Sequence, residues 1–156
     1  MTKPNVQALK TELAGFIAAE RLIDDPLRLL TYGTDASFYR LIPQLVVKVV
    51  SEDEVVRLLK AAQRQRTPLT FRAAGTSLSG QAITDSVLVM LDGNAWRDYA
   101  IDDHGASIRL QPGIIGAQAN RYLAPLQRKI GPDPASIATC KIGGIAANNA
   151  SGMCCG

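Results

Sequence analysis

PQLVVKVVSEDEVVRLLKAAQRQRTPLTFRAAGTSLSG, residues 43–80, is the stretch that decides the fold. Leu45 to Val50 is an apolar, β-branched run, which predicts a strand buried on both faces. Ser51-Glu52-Asp53-Glu54 follows with a hydroxyl at a helix cap and an acid three residues on, the pattern of a capping box. Val55, Leu58, Leu59 and Ala62 then place one apolar stripe on the helix it opens. Pro68 cannot continue that helix, and Leu69 to Arg72 reads as a second short strand. Strand, helix and strand with a short return predict a parallel pair joined by a right-handed crossover.

Outward from this unit the pattern is less regular. Val6, Leu9, Leu13, Phe16 and Ile17 recur at helical spacing and predict a helix over 5–20. Asp25-Pro26 reads as a cap with proline at the first helical position and Gly33 as the stop, and 34–43 as irregular. Downstream, Val87 to Leu91 is a third buried strand. Arg97 to Ile101 and Ser107 to Gln111 form a hairpin closed by Asp102-Asp103-His104-Gly105. Pro112-Gly113 introduces a helix over about 115–124, with Ile115, Ala119, Tyr122 and Leu123 inward. The last 26 residues, GPDPASIATCKIGGIAANNASGMCCG (131–156), are mostly small and show no clean period. The fold class is α+β, without internal repeats or a linker.

Composition excludes several function classes. An apolar fraction of 47% with a net charge of +3 is that of a globular domain and argues against disorder. The basic residues are scattered. Arg57, Lys60 and Arg64 share a helix face, read as solvated, and aromatics at 5% are too few for a nucleic-acid surface. Three cysteines, two of them adjacent (Cys154 and Cys155), do not make a disulfide framework, and one histidine gives no zinc set. A reducing cytoplasm is the default. The N-terminal segment is interrupted by Lys10, Glu12 and Glu20, so it does not read as a signal peptide, and no run is long enough to span a bilayer.

Two loops carry chemistry. Arg72-Ala73-Ala74-Gly75-Thr76-Ser77-Leu78-Ser79-Gly80 lies directly after a strand. Its glycines permit backbone angles that expose successive N–H groups, and Thr76, Ser77 and Ser79 add hydroxyls. The product is a cradle for phosphate or diphosphate. Gly75 to Gly80 has P-loop glycine spacing, but Gln81-Ala82 stands where Lys-[Ser/Thr] would be required, which argues against NTP hydrolysis. No GxGxxG opens a helix. The second loop presents Pro132, Asp133 and Ser136 on a rigid turn, followed by Thr139, Gly143, Gly144, Asn148, Asn149 and Gly152. Small residues let backbone press on a flat or extended ligand, and the Asn and Thr groups supply neutral donors and acceptors. On composition alone, a tight ligand-free turn and a flexible tail remain open for the two loops.

YGTDASFY (32–39), PQLVVKVVSEDEVVRLLKAAQ (43–63), FRAAGTSLSGQA (71–82) and KIGPDPASIATCKIGGIAANNASGMCCG (129–156) together resemble the FAD-linked oxidases of the vanillyl-alcohol oxidase or PCMH fold. Within them the chain looks most like D-lactate dehydrogenases and glycolate oxidase-type enzymes with a C-terminal iron–sulfur module. The resemblance implies a PCMH-type FAD-binding domain, with a small parallel βαβ subdomain and a second β-rich one. It implies a helical lead-in over 1–40 and an FAD-binding domain over 41–156 that stops before it is complete. Arg72 to Gly80 would contact the cofactor, with Ala73 to Gly80 wrapping the FAD diphosphate. Pro132, Asp133 and Ser136 would approach the flavin, and Thr139, Gly143, Gly144, Asn148, Asn149 and Gly152 would extend the surface. With no histidine in 72–80 the FAD is expected to be non-covalent, and His104 is read as a solvated turn residue. Cys154 and Cys155 are read as small buried residues beside the cofactor. The parent enzyme would oxidise a small 2-hydroxy acid to a 2-oxo acid. Its substrate and iron–sulfur domains lie outside this chain, which holds no candidate general base and no metal site. Peripheral association of the parent with the inner membrane is a further implication. A truncated non-catalytic fragment, or a module for another diphosphate nucleotide, is the alternative.

Overall fold

The computed structural model describes residues 5–152. They form two compact units. One holds the chain up to Arg72 together with Ser77–Asp92. The other holds Ala73–Thr76 and the residues from Gly93 onward.

The first unit contains α1 (Val6–Leu13), β1 (Leu22–Ile23), α2 (Pro26–Thr31), β2 (Leu45–Val49), α3 (Glu52–Arg64), β3 (Leu69–Arg72) and β4 (Val87–Leu91). Its sheet has the order β1-β2-β4-β3. β4 is parallel to both β2 and β3, with Val47 and Phe71 opposite Val89, whereas β1 pairs antiparallel with β2. The strand–helix–strand reading is therefore corrected in one respect. β2 and β3 run parallel but are not neighbours, because β4 inserts between them. Val46, Val47, Val87, Leu88 and Val89 are fully buried, as central parallel strands require. Ile23, Leu29, Val46 and Leu88 form a core cluster, with Tyr32 and Met90 packed on it.

Two of the three helical expectations for this unit need adjustment. α1 ends at Leu13, not at 20. The chain turns at Gly15, whose N–H bonds Glu12 O at 3.2 Å, and Ile17 is buried from outside the helix. α2 begins as read, with the Asp25 carboxylate accepting from Arg28 N and Pro26 at the first position. On α3, Ser51 Oγ accepts from Glu54 N at 3.2 Å. The Glu54 carboxylate does not return to Ser51. It accepts the Val50 N–H at 2.9 Å and both terminal nitrogens of Arg21 at 2.7 and 2.8 Å. Drawing Glu54 inward turns the helix, so its buried face is Glu54, Leu58, Ala61 and Ala62, while Leu59 is 47% exposed. The outer face carries Arg57, Lys60 and Arg64. Arg57 stacks over Phe16 at 3.9 Å, and Arg64 pairs with Glu12. This is the solvated face expected from sequence.

The second unit contains β5 (Tyr99–Asp102), β6 (Ser107–Leu110), α4 (Gly116–Leu123) and α5 (Ile142–Ala147). β5 and β6 form the expected antiparallel hairpin, with Ile101 opposite Ile108 and the exposed His104 in its turn at φ 54°. Ala119 and Leu123 of α4 are buried, but Ile115 is 38% exposed because it is the cap residue and lies before the helix. Tyr122 of α4 stacks on Tyr99 of β5 with ring centroids 3.8 Å apart and planes 7° apart. A Tyr99→Ala, Tyr122→Ala double-mutant cycle in urea should give a coupling of about 1 kcal/mol, the usual worth of an aromatic pair beyond its buried area. Additive single effects would show that the stack contributes nothing. α5 lies in the tail read as aperiodic, and its appearance is a correction. Cys140 is a buried free thiol. Cys154 and Cys155 lie outside the described residues.

Candidate functional site

The loop after β3 starts from an inward-turned cation. Arg72 is 7% exposed. Its Nε donates to Ala82 O at 2.7 Å and its Nη2 to Tyr32 O at 2.9 Å, the latter at the C-terminal end of α2. Burial pushes the guanidinium pKa down, and the Asp35 carboxylate opposes that shift. Asp35 is itself held below the ordinary aspartate range. Burial raises it, but the Ser37 side chain, the Ser37 and Ala82 N–H groups and the Arg72 charge together outweigh this.

Within the first unit, Ser77 Oγ bonds Gln81 Oε1 and accepts the Ser79 N–H at 3.2 Å, so this end of the loop is knotted on itself. Leu78 is 76% exposed. Gly80 has φ +74°, and a Cβ there would lie 2.9 Å from Tyr39 Cδ2. The loop is thus backed by an aromatic ring from the irregular 34–43 segment.

In the second unit, Gly75 has φ +71°. The N–H groups of Ala74, Gly75 and Thr76 meet no acceptor among the described residues, and none of Ala73–Thr76 is acidic. Such a run of unpaired amides suits an anion. Ala73 lies against the tail, 3.5 Å from where a Gly144 Cβ would stand. The structure therefore brings together part of the first loop and part of the second.

The tail is an ordered chain of turns. Ser136 O accepts from Thr139 N, Cys140 N and Thr139 Oγ1, which fixes the turn that carries Ser136 and Thr139. Asn148 caps α5, and Asn149 takes the left-handed conformation after it at φ 46°. Gly143 is pressed on Pro112, and Gly152 on the main chain of Asp133. Pro132 and Asn149 share an apolar concavity of about 250 Å³ with Ile108 and Leu110 of β6 and Ile142 and Ile145 of α5. Lys141, just before α5, is lowered in pKa by burial and by Arg97. The contributions of β6, Lys141 and Tyr39 carry no loop-like signal and were missed from sequence. Among the described residues no cluster of metal-ligating side chains occurs, and no helix is long and apolar enough to cross a membrane.

The residues fit an FAD diphosphate on this geometry. Within the second unit the Ala74 to Thr76 amides are unpaired, no carboxylate stands among them, and left-handed Gly75 carries no Cβ.

The sequence pattern of the FAD binding domain family matches residues 43–156. The glycolate oxidase subunit GlcD of Escherichia coli K12 is 35% identical over 129 residues, which is 81% of this chain and 26% of that protein. The D-2-hydroxyglutarate dehydrogenase of the same strain is 32% identical over 127 residues, 80% of this chain and 12% of that protein. Among solved structures, an alkyldihydroxyacetonephosphate synthase superposes with a TM-score of 0.79 at 22% identity, over 97% of this chain and 31% of that one, a likeness of fold. The chain thus spans about a quarter, or less, of the curated relatives named here.

Proposed function

We propose, from the premise that this chain belongs to the FAD binding domain family whose pattern its residues 43–156 match, that it grips the cofactor of an oxidoreductase acting on a 2-hydroxy acid. On this reading residues 1–40 are a lead-in and 41–156 belong to the FAD-binding domain. Ala73 to Gly80 hold the diphosphate. Pro132, Asp133 and Ser136 lie toward the flavin, and Thr139, Gly143, Gly144, Asn148, Asn149 and Gly152 continue the surface. FAD supplies the two-electron redox chemistry, and the chain binds, orients and shields it. The hold is non-covalent, since no histidine stands in the 72–80 loop.

The observation that carries the reading is the run of unpaired amides at Ala74 to Thr76 inside a chain of this family. Charge-assisted bonds from such groups are worth about 1.5–3 kcal/mol each, enough for a few of them to retain a dinucleotide. The substrate class is supported by the names of two relatives. Glycolate and D-2-hydroxyglutarate are both 2-hydroxycarboxylates. The remaining domains, the electron acceptor and the substrate contacts belong to the rest of such a protein.

Titration of the purified chain with FAD, a UDP-sugar and ATP tests the cofactor half. FAD should bind near 1:1 and at least about tenfold tighter than the other two, a difference of about 1.4 kcal/mol. Tighter binding of the UDP-sugar or ATP would replace FAD by another diphosphate nucleotide. In a protein carrying the rest of the relatives' length, anaerobic glycolate, D-lactate or D-2-hydroxyglutarate should bleach the visible flavin band. A flavin bleached by none of them would sink the substrate half.

A further inference from the structure

We infer that Arg72 and Asp35 form an internal clamp on the base of the glycine loop, and that Arg72 is a positioning residue and not a contact of the cofactor. The inference rests on the reading of the loop as an FAD cradle, but its geometry is independent of that reading.

Ala82 is held through its carbonyl, which accepts Arg72 Nε at 2.7 Å, and its N–H helps to hold the Asp35 carboxyl below the ordinary aspartate range. The first bond joins residues ten apart and closes the loop at its two ends. The second Arg72 bond, to Tyr32 O, places a cation on the terminal carbonyls of α2, where the helix dipole favours it. Both acceptors are neutral, and the Asp35 carboxylate is an opposite charge that acts on the buried guanidinium through space. Asp35 is fixed in turn. Its Oδ1 accepts the Ser37 N–H at 2.8 Å, while Oδ2 is buried and has no hydrogen-bond partner among the described residues. Ser37 and Tyr39 line the side of Gly80, so the segment that carries Asp35 also supports the far end of the loop. A planar guanidinium with donors on fixed bearings can tie two carbonyls at once, which a lysine ammonium on a flexible stem does not reproduce.

Two variants of the full chain test this, Arg72→Gln and Arg72→Lys, read first by hydrogen exchange without FAD. Both should speed exchange of the Ser79 amide, which Ser77 Oγ holds, by about tenfold while β2, β4 and α3 keep their protection, as for the opening of a local segment. Both should weaken FAD binding with the parent's dependence on salt. A direct contact with the diphosphate would behave differently. Arg72→Lys would then restore affinity, and Arg72→Gln would flatten the salt dependence. Either result overturns the clamp. Should Arg72 variants lose protection throughout, Asp35→Asn decides. It should still speed exchange of the Ser79 amide by about threefold, and parent-like exchange and FAD affinity in that variant would reject the proposal. A parent chain that fails to bind FAD would remove the cofactor reading, and the exchange measurements would still judge the clamp.

Discussion

Glu54→Gln is expected to lower the unfolding free energy by about 3 kcal/mol at neutral pH, the scale seen when one member of a buried ion pair is removed. The Arg21 and Glu54 side chains are only 16% and 11% exposed, so solvent screens the pair little. Arg21 also donates to Lys48 O at 3.1 Å. The pair therefore joins the approach to β1, the end of β2 and the first turn of α3 across 33 residues of sequence. With glutamine there, Arg21 keeps a buried charge with no opposite charge, the one remaining side-chain oxygen must serve both Arg21 and Val50 N–H, and the new NH2 turns donors toward donors. The pH dependence has a definite sign. The Arg21 hydrogen bonds hold the Glu54 carboxyl below the ordinary glutamate range, against the effect of burial and with help from the Val50 N–H. A depressed folded pKa means that the unfolded chain takes up the proton first. The stabilisation is thus complete above the ordinary glutamate pKa of about 4.3 and is lost as pH falls through the folded value. Urea midpoints of parent and variant should differ at pH 7 and converge on acidification, because protonated Glu and Gln are nearly isosteric. Equal midpoints at pH 7, or a gap unchanged at the acid end, would show that the pair contributes no net stability.

The same carboxylate shows how far sequence could go. The spacing from Ser51 to Glu54 located the start of α3 correctly, because capping is a local interaction within four residues. It could not show that Glu54 would turn to Arg21, since that pairing is long-range, and the error in the buried stripe at Leu59 followed from it. β2 and β4 were legible as apolar runs, and β3 as a short strand after Pro68. Their order was not, because inserting β4 between β2 and β3 is decided by packing over the whole sheet. β1 is only two residues long and gives no period to read. α5 was hidden by composition. Gly143 and Gly144 each weaken a helix by about 1 kcal/mol relative to alanine, and the helix forms because tertiary contacts hold it. Ile142 N bonds Ile114 O, and Gly143 N bonds Pro112 O. The site divides in the same way. Glycine and hydroxyl content marked both loops, but nothing local showed that Arg72 turns inward or that Tyr39 backs Gly80.

Gly152→Ala is expected to strip the chain of bound FAD while leaving the β2–β4 sheet folded. The cause is space. A Cβ at Gly152 would lie 1.8 Å from Asp133 O and 2.7 Å from Asp133 C. Both are main-chain atoms, so no side chain can rotate away, and the 132–136 turn or the end of the tail must move. Overpacking costs about 1–3 kcal/mol in well-packed regions, and contact with rigid backbone belongs at the upper end. If the displaced turn must be restored for the cofactor to bind, about 3 kcal/mol becomes a loss of affinity of about 100-fold. Two other glycines grade the argument. A Cβ at Gly144 would meet Ala73 Cβ at 3.5 Å, ordinary contact, so Gly144→Ala should fold at least as stably as the parent, with a gain of up to about 1 kcal/mol from helix propensity. At Gly80 the neighbour at 2.9 Å is the ring of Tyr39, which is 61% exposed and can swing outward. Most of the cost of Gly80→Ala is then its left-handed backbone, about 1–2 kcal/mol. Tyr39→Ala should recover the steric part of that loss and leave the backbone part. Thermal melts, hydrogen exchange at 131–137 and FAD titration on the three alanine variants would follow the order Gly152, Gly80, Gly144 in severity. Parent-like flavin content and exchange in Gly152→Ala would show that the close approach of 152 to 133 does not shape the cofactor surface.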